Sequence, residues 1–281
     1  MTLLQQRSKD LSDDLSRFVS KVADKVTEKG VHRLRTSIRR TETLVSYAQP
    51  SLGKKQEKTL DELRILRKRA GKVRDLDIQA GLLATVGNGS AGADRRALLD
   101  VLKGKRARQA DRLASTIRKL EKAKFLSRLK RIAEKAVVDG PTNSAPLQLA
   151  HQELNQLAAE YSSRQALKPA RLHELRIKLK LLRYRAELSP QTVEQKEFVE
   201  KVKAVQDSIG EWHDWEMLAD SAEKHFGNRV SCALLVEIRS LFTAKYSAAV
   251  SAALNLLTTC VLPEKKKPSS VQVSRAATQR A

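Results

Sequence analysis

Apolar residues recur along this chain at three- and four-residue intervals almost from end to end, the spacing of helices with one buried face. Leu4, Leu11, Leu15, Phe18 and Val22 mark the first such face, over residues 3–28. Gly30 predicts a break, and a second helix follows over 31–48, closed by the turn sequence Gln49-Pro50-Ser51-Leu52-Gly53. Amphipathic stretches then predict helices at 54–70 and 73–86, separated by Gly71, and a long pattern over 93–138 that divides near Glu121. The strongest linker signal is 139–146, with Gly140, Pro141 and Pro146, at the midpoint of the chain. Beyond it, helices are expected at 147–164, 168–188, 192–209, 212–225 and 229–261, and residues 263–281 read as a basic disordered tail. No segment alternates convincingly with the period of two that a half-buried strand shows, so the pattern predicts an all-α protein.

The order of elements repeats across the linker. Val31-His32-Arg33-Leu34-Arg35-Thr36-Ser37-Ile38-Arg39-Arg40 is echoed by Leu172-His173-Glu174-Leu175-Arg176-Ile177-Lys178-Leu179-Lys180-Leu181, and the two histidines lie 141 residues apart. A second pair, Gly71-Lys72-Val73-Arg74-Asp75-Leu76-Asp77 and Gly210-Glu211-Trp212-His213-Asp214-Trp215-Glu216, places Asp75 and Asp214 at an offset of 139. Two motifs at nearly one offset imply a duplicated helical unit. The expected architecture is two antiparallel bundles of four to five helices, related by an internal pseudo-twofold. Repeat 1 covers about 1–138 and repeat 2 about 147–262.

At about 100° per residue, His32, Arg35 and Arg39 share one helix stripe, with Leu34, Ile38 and Val45 on another. His173, Arg176, Lys180 and Arg183 do the same, backed by Leu175, Leu179, Leu182 and Ala186. Composition gives these stripes meaning. The 281 residues carry 54 Lys+Arg against 32 Asp+Glu, a formal charge of +22. Hydrophobic residues make up 41% and aromatic residues only 4%, so Leu, Ala and Val must fill the core. Such an excess of one sign repels itself and is most easily tolerated beside a multivalent anion. Cys232 and Cys260 form no C-x-x-C, so neither a disulfide framework nor a cysteine metal site is expected. No apolar run reaches the 18–20 or so residues that span a bilayer, and residues 1–10 do not form a signal peptide, so membrane insertion is not expected and the cytoplasm is the expected location.

The paired H-x-x-R-x-x-x-[K/R] helices resemble the signatures of the CHAD domain, the conserved histidine α-helical domain. Lys72-Val73-Arg74-Asp75-Leu76-Asp77, Leu181-Leu182-Arg183-Tyr184 and Val205-Gln206-Asp207-Ser208-Ile209-Gly210-Glu211-Trp212-His213-Asp214 are similar to its other marks. The resemblance covers about residues 5–260, and residues 1–262 read as a single domain of this kind. It implies two helical bundles around a basic central groove or cavity, and binding of inorganic polyphosphate. Recruitment to polyphosphate granules is compatible with that ligand. Some family members carry an N-terminal triphosphate-processing domain of the CYTH type. Here the first helix leads directly into the His32 motif, so no such domain is expected and no catalysis is carried over.

Guanidinium groups bind phosphate oxygens in a bidentate fork and lysine adds point charge. Positions i, i+3 and i+7 cover roughly 10 Å of helix, enough to meet several phosphates in succession. The candidate polyphosphate ligands are therefore His32, Arg35, Arg39, His173, Arg176, Lys180 and Arg183 from the stripes. Arg64 and Lys68 on the third helix, Lys203 aligned with Arg64, Lys72 and Arg74 after Gly71, and Arg108 further on extend the set. Arg40 projects away from its stripe and contributes mainly field. Glu42 stands where the second copy has Arg183, making the first stripe less positive. Taken alone, each basic stripe reads as a solvated face, and each histidine as a core residue hydrogen-bonded across the bundle; duplication shifts the reading toward a ligand.

Asp75 and Asp214 follow the two expected helix breaks, where they would cap a helix or pair with Arg or His. No helical H-E-x-x-H, phosphate-cradling loop or nucleophile elbow is present, so no metal, cofactor or catalytic residue is assigned. Two alternatives stay open. One is a nucleic-acid-binding protein with unspecific affinity, against which stands the lack of an aromatic stacking residue within either stripe. The other is an enzyme acting on phosphate polymers.

Overall fold

The computed structural model describes residues 3–48, 53–86, 92–139, 146–227 and 232–259. These residues form nine α-helices and one short 3-10 turn, with no strand among them. The first half comprises α1 (Leu3–Asp24), α2 (Glu28–Ala48), α3 (Lys54–Leu83), α4 (Gly92–Lys119) and α5 (Lys122–Asp139). The second comprises α6 (Pro146–Glu160), the 3-10 turn Arg164–Leu167, α7 (Pro169–Ala186), α8 (Val193–Phe226) and α9 (Ala233–Thr259). The fold is all-α. Most of the linker 139–146, the tail 263–281 and Cys260 lie outside the described residues; Cys232 is a buried free thiol. No helix among the described residues is long and apolar enough to cross a membrane.

Each half buries the apolar faces its sequence presents. Leu15, Phe18 and Val22 of α1 pack with Leu34, Ile38 and Val45 of α2, and Leu4 and Leu11 flank that core. Leu175, Leu179, Leu182 and Ala186 of α7 join a second core with Phe198, Ile209 and Trp212 of α8. Each fully buried leucine contributes about 1.5–3 kcal/mol, which holds α2 and α7 in one rotational setting and turns their basic stripes outward. A third core crosses between halves, where Leu76, Leu83, Leu98 and Leu102 meet Trp215, Leu218, Phe226 and Leu234. Ser221 of α8 also donates to Gln79 of α3 at 2.7 Å. This shared core locks α3 beside α8 and fixes the relative placement of the two halves.

Local chemistry moves several helix ends from where periodicity puts them. The chain breaks before Gly30: the Thr27 hydroxyl accepts from the Gly30 amide at 3.1 Å, so Thr27 caps α2 just ahead of Glu28 and Gly30 sits in its first turn. The 93–138 pattern divides beside Glu121, as expected. The expected 147–164 helix stops at Glu160, and Pro169 opens α7 at its first turn.

The larger difference concerns Gly71 and Gly210. Neither ends a helix: α3 and α8 run unbroken through them for 30 and 34 residues. An interior glycine costs a helix about 1 kcal/mol relative to alanine, so something must favour it here. At Gly71 an added Cβ would sit 2.7 Å from Nη1 of Arg35. The missing side chain makes room for an arginine from α2. Gly210 lies under the Arg176 guanidinium in the same way, more loosely, with nearest atoms at 3.7 Å. Asp75 and Asp214, one turn further along, are mid-helix residues that cap nothing.

Candidate functional site

Helices α2, α3, α7 and α8 enclose a cleft of about 850 Å³ that draws on both halves of the chain. From α2 come Arg35, Arg39, Glu42, Thr43 and Ser46; from α7 come His173, Arg176, Ile177, Lys180, Leu181 and Tyr184. Helix α3 adds Glu57, Leu60, Asp61, Arg64, Arg67 and Asp75, and α8 adds His213. The two arginines seated on glycine are equivalently placed in their halves. Arg35 pairs with Asp75 at 3.6 Å, and Arg176 feels the charge of Asp214.

The basic groups fall into two classes. Arg35, Arg64 and Arg67 each have a carboxylate: Asp75, Asp61 at 2.7 Å and Glu42 at 2.9 Å respectively. Among the described residues Arg39, Arg176 and Lys180 form no ion pair within 4 Å, and Nε of Arg176 is buried without a hydrogen-bond partner. These three repel one another. Burial first, then Arg176, Arg39 and Arg35, push the Lys180 amine down to about 6, against a smaller opposing pull from Asp214. Burial and the field of neighbouring cations, Arg39 in both cases, hold Arg35 and Arg176 below the usual arginine value. At neutral pH the cleft therefore holds one lysine largely uncharged among guanidinium groups.

The histidines respond to the same field. The rings of His173 and His213 lie 4.8 Å apart between centres, tilted at 59° to one another. Burial and then Arg176 lower both, His213 to about 4. Nδ1 of His213 lies 3.0 Å from Glu216. A carboxylate only accepts, so neutral His213 carries its proton on Nδ1. Glu42 shifts upward because burial outweighs its partner Arg67.

The cleft brings together Arg35, Arg39, Arg64, His173, Arg176 and Lys180 of the residues the sequence singled out. The others lie outside its lining. His32 is exposed, one turn beyond Arg35, in the field of Arg74, which pairs with Glu28. Arg40 and Arg183 both reach Glu187, at 2.9 and 3.7 Å, tying α2 to α7. Lys203 pairs with Asp207 at 2.7 Å, and Lys68, Lys72 and Arg108 are exposed.

The periodicity reading missed Arg67 and Tyr184. Arg67 was legible: Leu60, Arg64, Arg67, Gly71 and Asp75 form one stripe of α3. Tyr184 brings an aromatic ring to the lining beside the second stripe, where Arg183 does not line the cleft. Among the described residues no three His, Cys, Asp or Glu side chains group closely enough to share a metal ion.

The sequence matches the family model of the CHAD domain over residues 10–223. The fold is similar to that in the crystal structure of the CHAD domain from the plant Ricinus communis, with a TM-score of 0.66 and 16% identity, over 92% of this chain and 91% of that one. No curated protein matches the sequence.

Proposed function

The chain belongs to the CHAD domain family, and we propose that it is a non-catalytic receptor holding inorganic polyphosphate in the cleft between its two halves. One observation carries the reading: Arg39, Arg176 and Lys180 converge from both halves with no counter-ion within 4 Å among the described residues. Grouping half-buried cations without partners is unfavourable unless an anion completes the site. A phosphate chain supplies repeated charge at close spacing, and the guanidinium groups grip its oxygens in pairs. Because α2 and α7 face one cleft, one strand engages both stripes. Arg35, Arg64 and Arg67 can exchange carboxylate partners for phosphate; for the exposed Arg64–Asp61 pair the exchange involves about 1 kcal/mol or less.

Nucleic acid is the weaker reading. Tyr184 is 7% exposed, and Arg183 covers its ring at 4.7 Å, so little ring face remains for a base. Against turnover of the polymer, the buried Thr43 hydroxyl in the cleft is engaged as a donor to the Arg39 carbonyl at 3.0 Å. Residence in the cytoplasm or at polyphosphate granules would follow from such a ligand.

The test is a calorimetric titration with long-chain polyphosphate, beside charge-matched duplex DNA, at about 0.15 M salt. The expected result is one strand bound per protein with a clear preference over DNA. Equal affinity for both would overturn it, leaving the +22 charge as a general attraction for polyanions. Incubation with labelled polyphosphate and Mg²⁺ or Mn²⁺ should leave the chain length unchanged.

A further inference from the structure

Lys180 is the cleft's chemically distinct group. It is half-buried on α7 and lines the open cavity. Arg35 and Arg39 face it from α2, His213 and Asp214 from α8, and His173 and Arg176 from its own helix. Among the described residues no carboxylate lies within ion-pair distance of its amine. An amine desolvated beside other cations is the arrangement that turns lysine from a charge into a nucleophile. The same arginines that crowd it bind phosphate.

We propose that Lys180 is a covalent modification site, acylated by small acyl phosphates that the cleft arginines capture by their phosphate group. The inference rests on the reading of the cleft as a phosphate site. The uncharged Nζ attacks the acyl carbon and forms a C–N bond. The C–O bond to phosphate breaks, and inorganic phosphate leaves with the bonding pair, its charge met by Arg39 and Arg176. The amine proton passes to the departing phosphate or to water. An N-acyl-lysine and free phosphate remain, and no oxidant or further reactant takes part. The product has lost a group that could become cationic, so the modified cleft holds polyanions less tightly.

The neutral fraction sets the rate advantage. At pH 7.5 an exposed lysine is about 0.1% uncharged, whereas Lys180, pushed down to about 6, is almost wholly so. A weaker base is also a weaker nucleophile, which removes about a hundredfold of that thousandfold gain if amines follow a sensitivity of about 0.4–0.5. About tenfold remains before capture by the arginines adds to it.

The experiment treats the full chain with acetyl phosphate at pH 7.5 and follows each lysine by mass spectrometry, with and without inorganic triphosphate as competitor. Lys180 should be acetylated about tenfold faster than exposed Lys58 and Lys201, and triphosphate should slow Lys180 selectively. Lys180→Arg should remove that fast site and leave the rates at Lys58 and Lys201 unchanged. A Lys180 rate equal to that of Lys58, or a fast rate indifferent to triphosphate, overturns the inference. Polyphosphate titration of the same preparation separates the two claims. Binding of the polymer with a slow Lys180 sinks the modification site alone, whereas fast, triphosphate-protected acetylation without polymer binding sinks the polymer reading alone.

Discussion

Replacing Gly71 by alanine asks whether the glycine exists to seat Arg35. The added methyl would lie 2.7 Å from the guanidinium Nη1, so the arginine tip must retreat by about 1 Å to reach ordinary contact at about 3.5 Å. The clash is with the far end of a flexible side chain, and the backbone need not move. Stability should change little: helix propensity gains about 1 kcal/mol, against loss of a half-exposed Arg35–Asp75 pair worth about 1 kcal/mol or less. Affinity should fall, because a displaced Arg35 forfeits charge-assisted hydrogen bonds to phosphate worth about 1.5–3 kcal/mol, or roughly 10–150-fold in Kd. Gly210→Ala is the matched control. Its nearest arginine atoms are at 3.7 Å, an ordinary contact, so it should raise Tm through propensity and bind as the parent does. Calorimetric titration and thermal unfolding of both variants give the readouts. Parental affinity in Gly71→Ala, with Tm unchanged or raised, would refute the idea that this glycine positions Arg35. Equal losses in both variants would show that close approach is not what distinguishes them.

Affinity should also depend on pH with a definite sign. Burial and the neighbouring arginines push Lys180 down to about 6, and a bound anion would return its proton, so affinity should be greatest at or below pH 6 and fall above it by up to about tenfold per unit. Calorimetry in two buffers of different ionisation enthalpy should show uptake of close to one proton at pH 7.5, and no proton uptake in Lys180→Arg would assign it. The same depressed value should make the protein without added polyanion gain stability as pH rises from about 6 toward the ordinary lysine value, because the unfolded chain binds the extra proton; denaturant unfolding at pH 6 and 9 checks this. Glu42→Gln removes the carboxylate that occupies Arg67 at 2.9 Å, and titration should show affinity rising about threefold to tenfold; a loss would mean Glu42 is needed to position Arg67. Arg35→Glu combined with Arg176→Glu should abolish binding while circular dichroism stays helical, whereas Arg108→Ala and Lys203→Ala, outside the cleft lining, should change Kd by less than about twofold.

The helical fold and its buried faces were legible because burial imposes a period. Leu34, Ile38, Leu175 and Leu179 are each 0% exposed, where the 3.6-residue repeat puts them. Basic stripes opposite those faces were legible for the same reason. What periodicity could not reveal is which turns of each stripe face the other half. That depends on where helices cross, and the shared core of Leu76, Leu83, Trp215 and Leu218 decides it. Gly71 and Gly210 read as helix breaks because local propensity was the only information available, while the arginines that seat on them come from 36 and 34 residues away in sequence.

The halves that look alike in sequence are unequal in the cleft. Both contribute an arginine seated on glycine, but only the second contributes its motif histidine: His173 lines the cavity, and His32 stands one turn outside it. The acidic residues go the other way, since Glu42, Glu57, Asp61 and Asp75 all belong to the first half. Arg183, the counterpart of Glu42 in the second copy, is held by Glu187 and does not line the cleft. Carboxylates thus offset much of the first half's charge, while Arg176 and Lys180 of the second half, with Arg39 opposite, face the cavity unpaired. In the proposed reading, a ligand of uniform charge would meet a graded surface, with the unpaired trio contributing most to its grip. Charge reversal at Arg176 should consequently weaken binding more than reversal at Arg64, although both are arginines of the same cleft, because Arg64 already shares its charge with Asp61 at 2.7 Å.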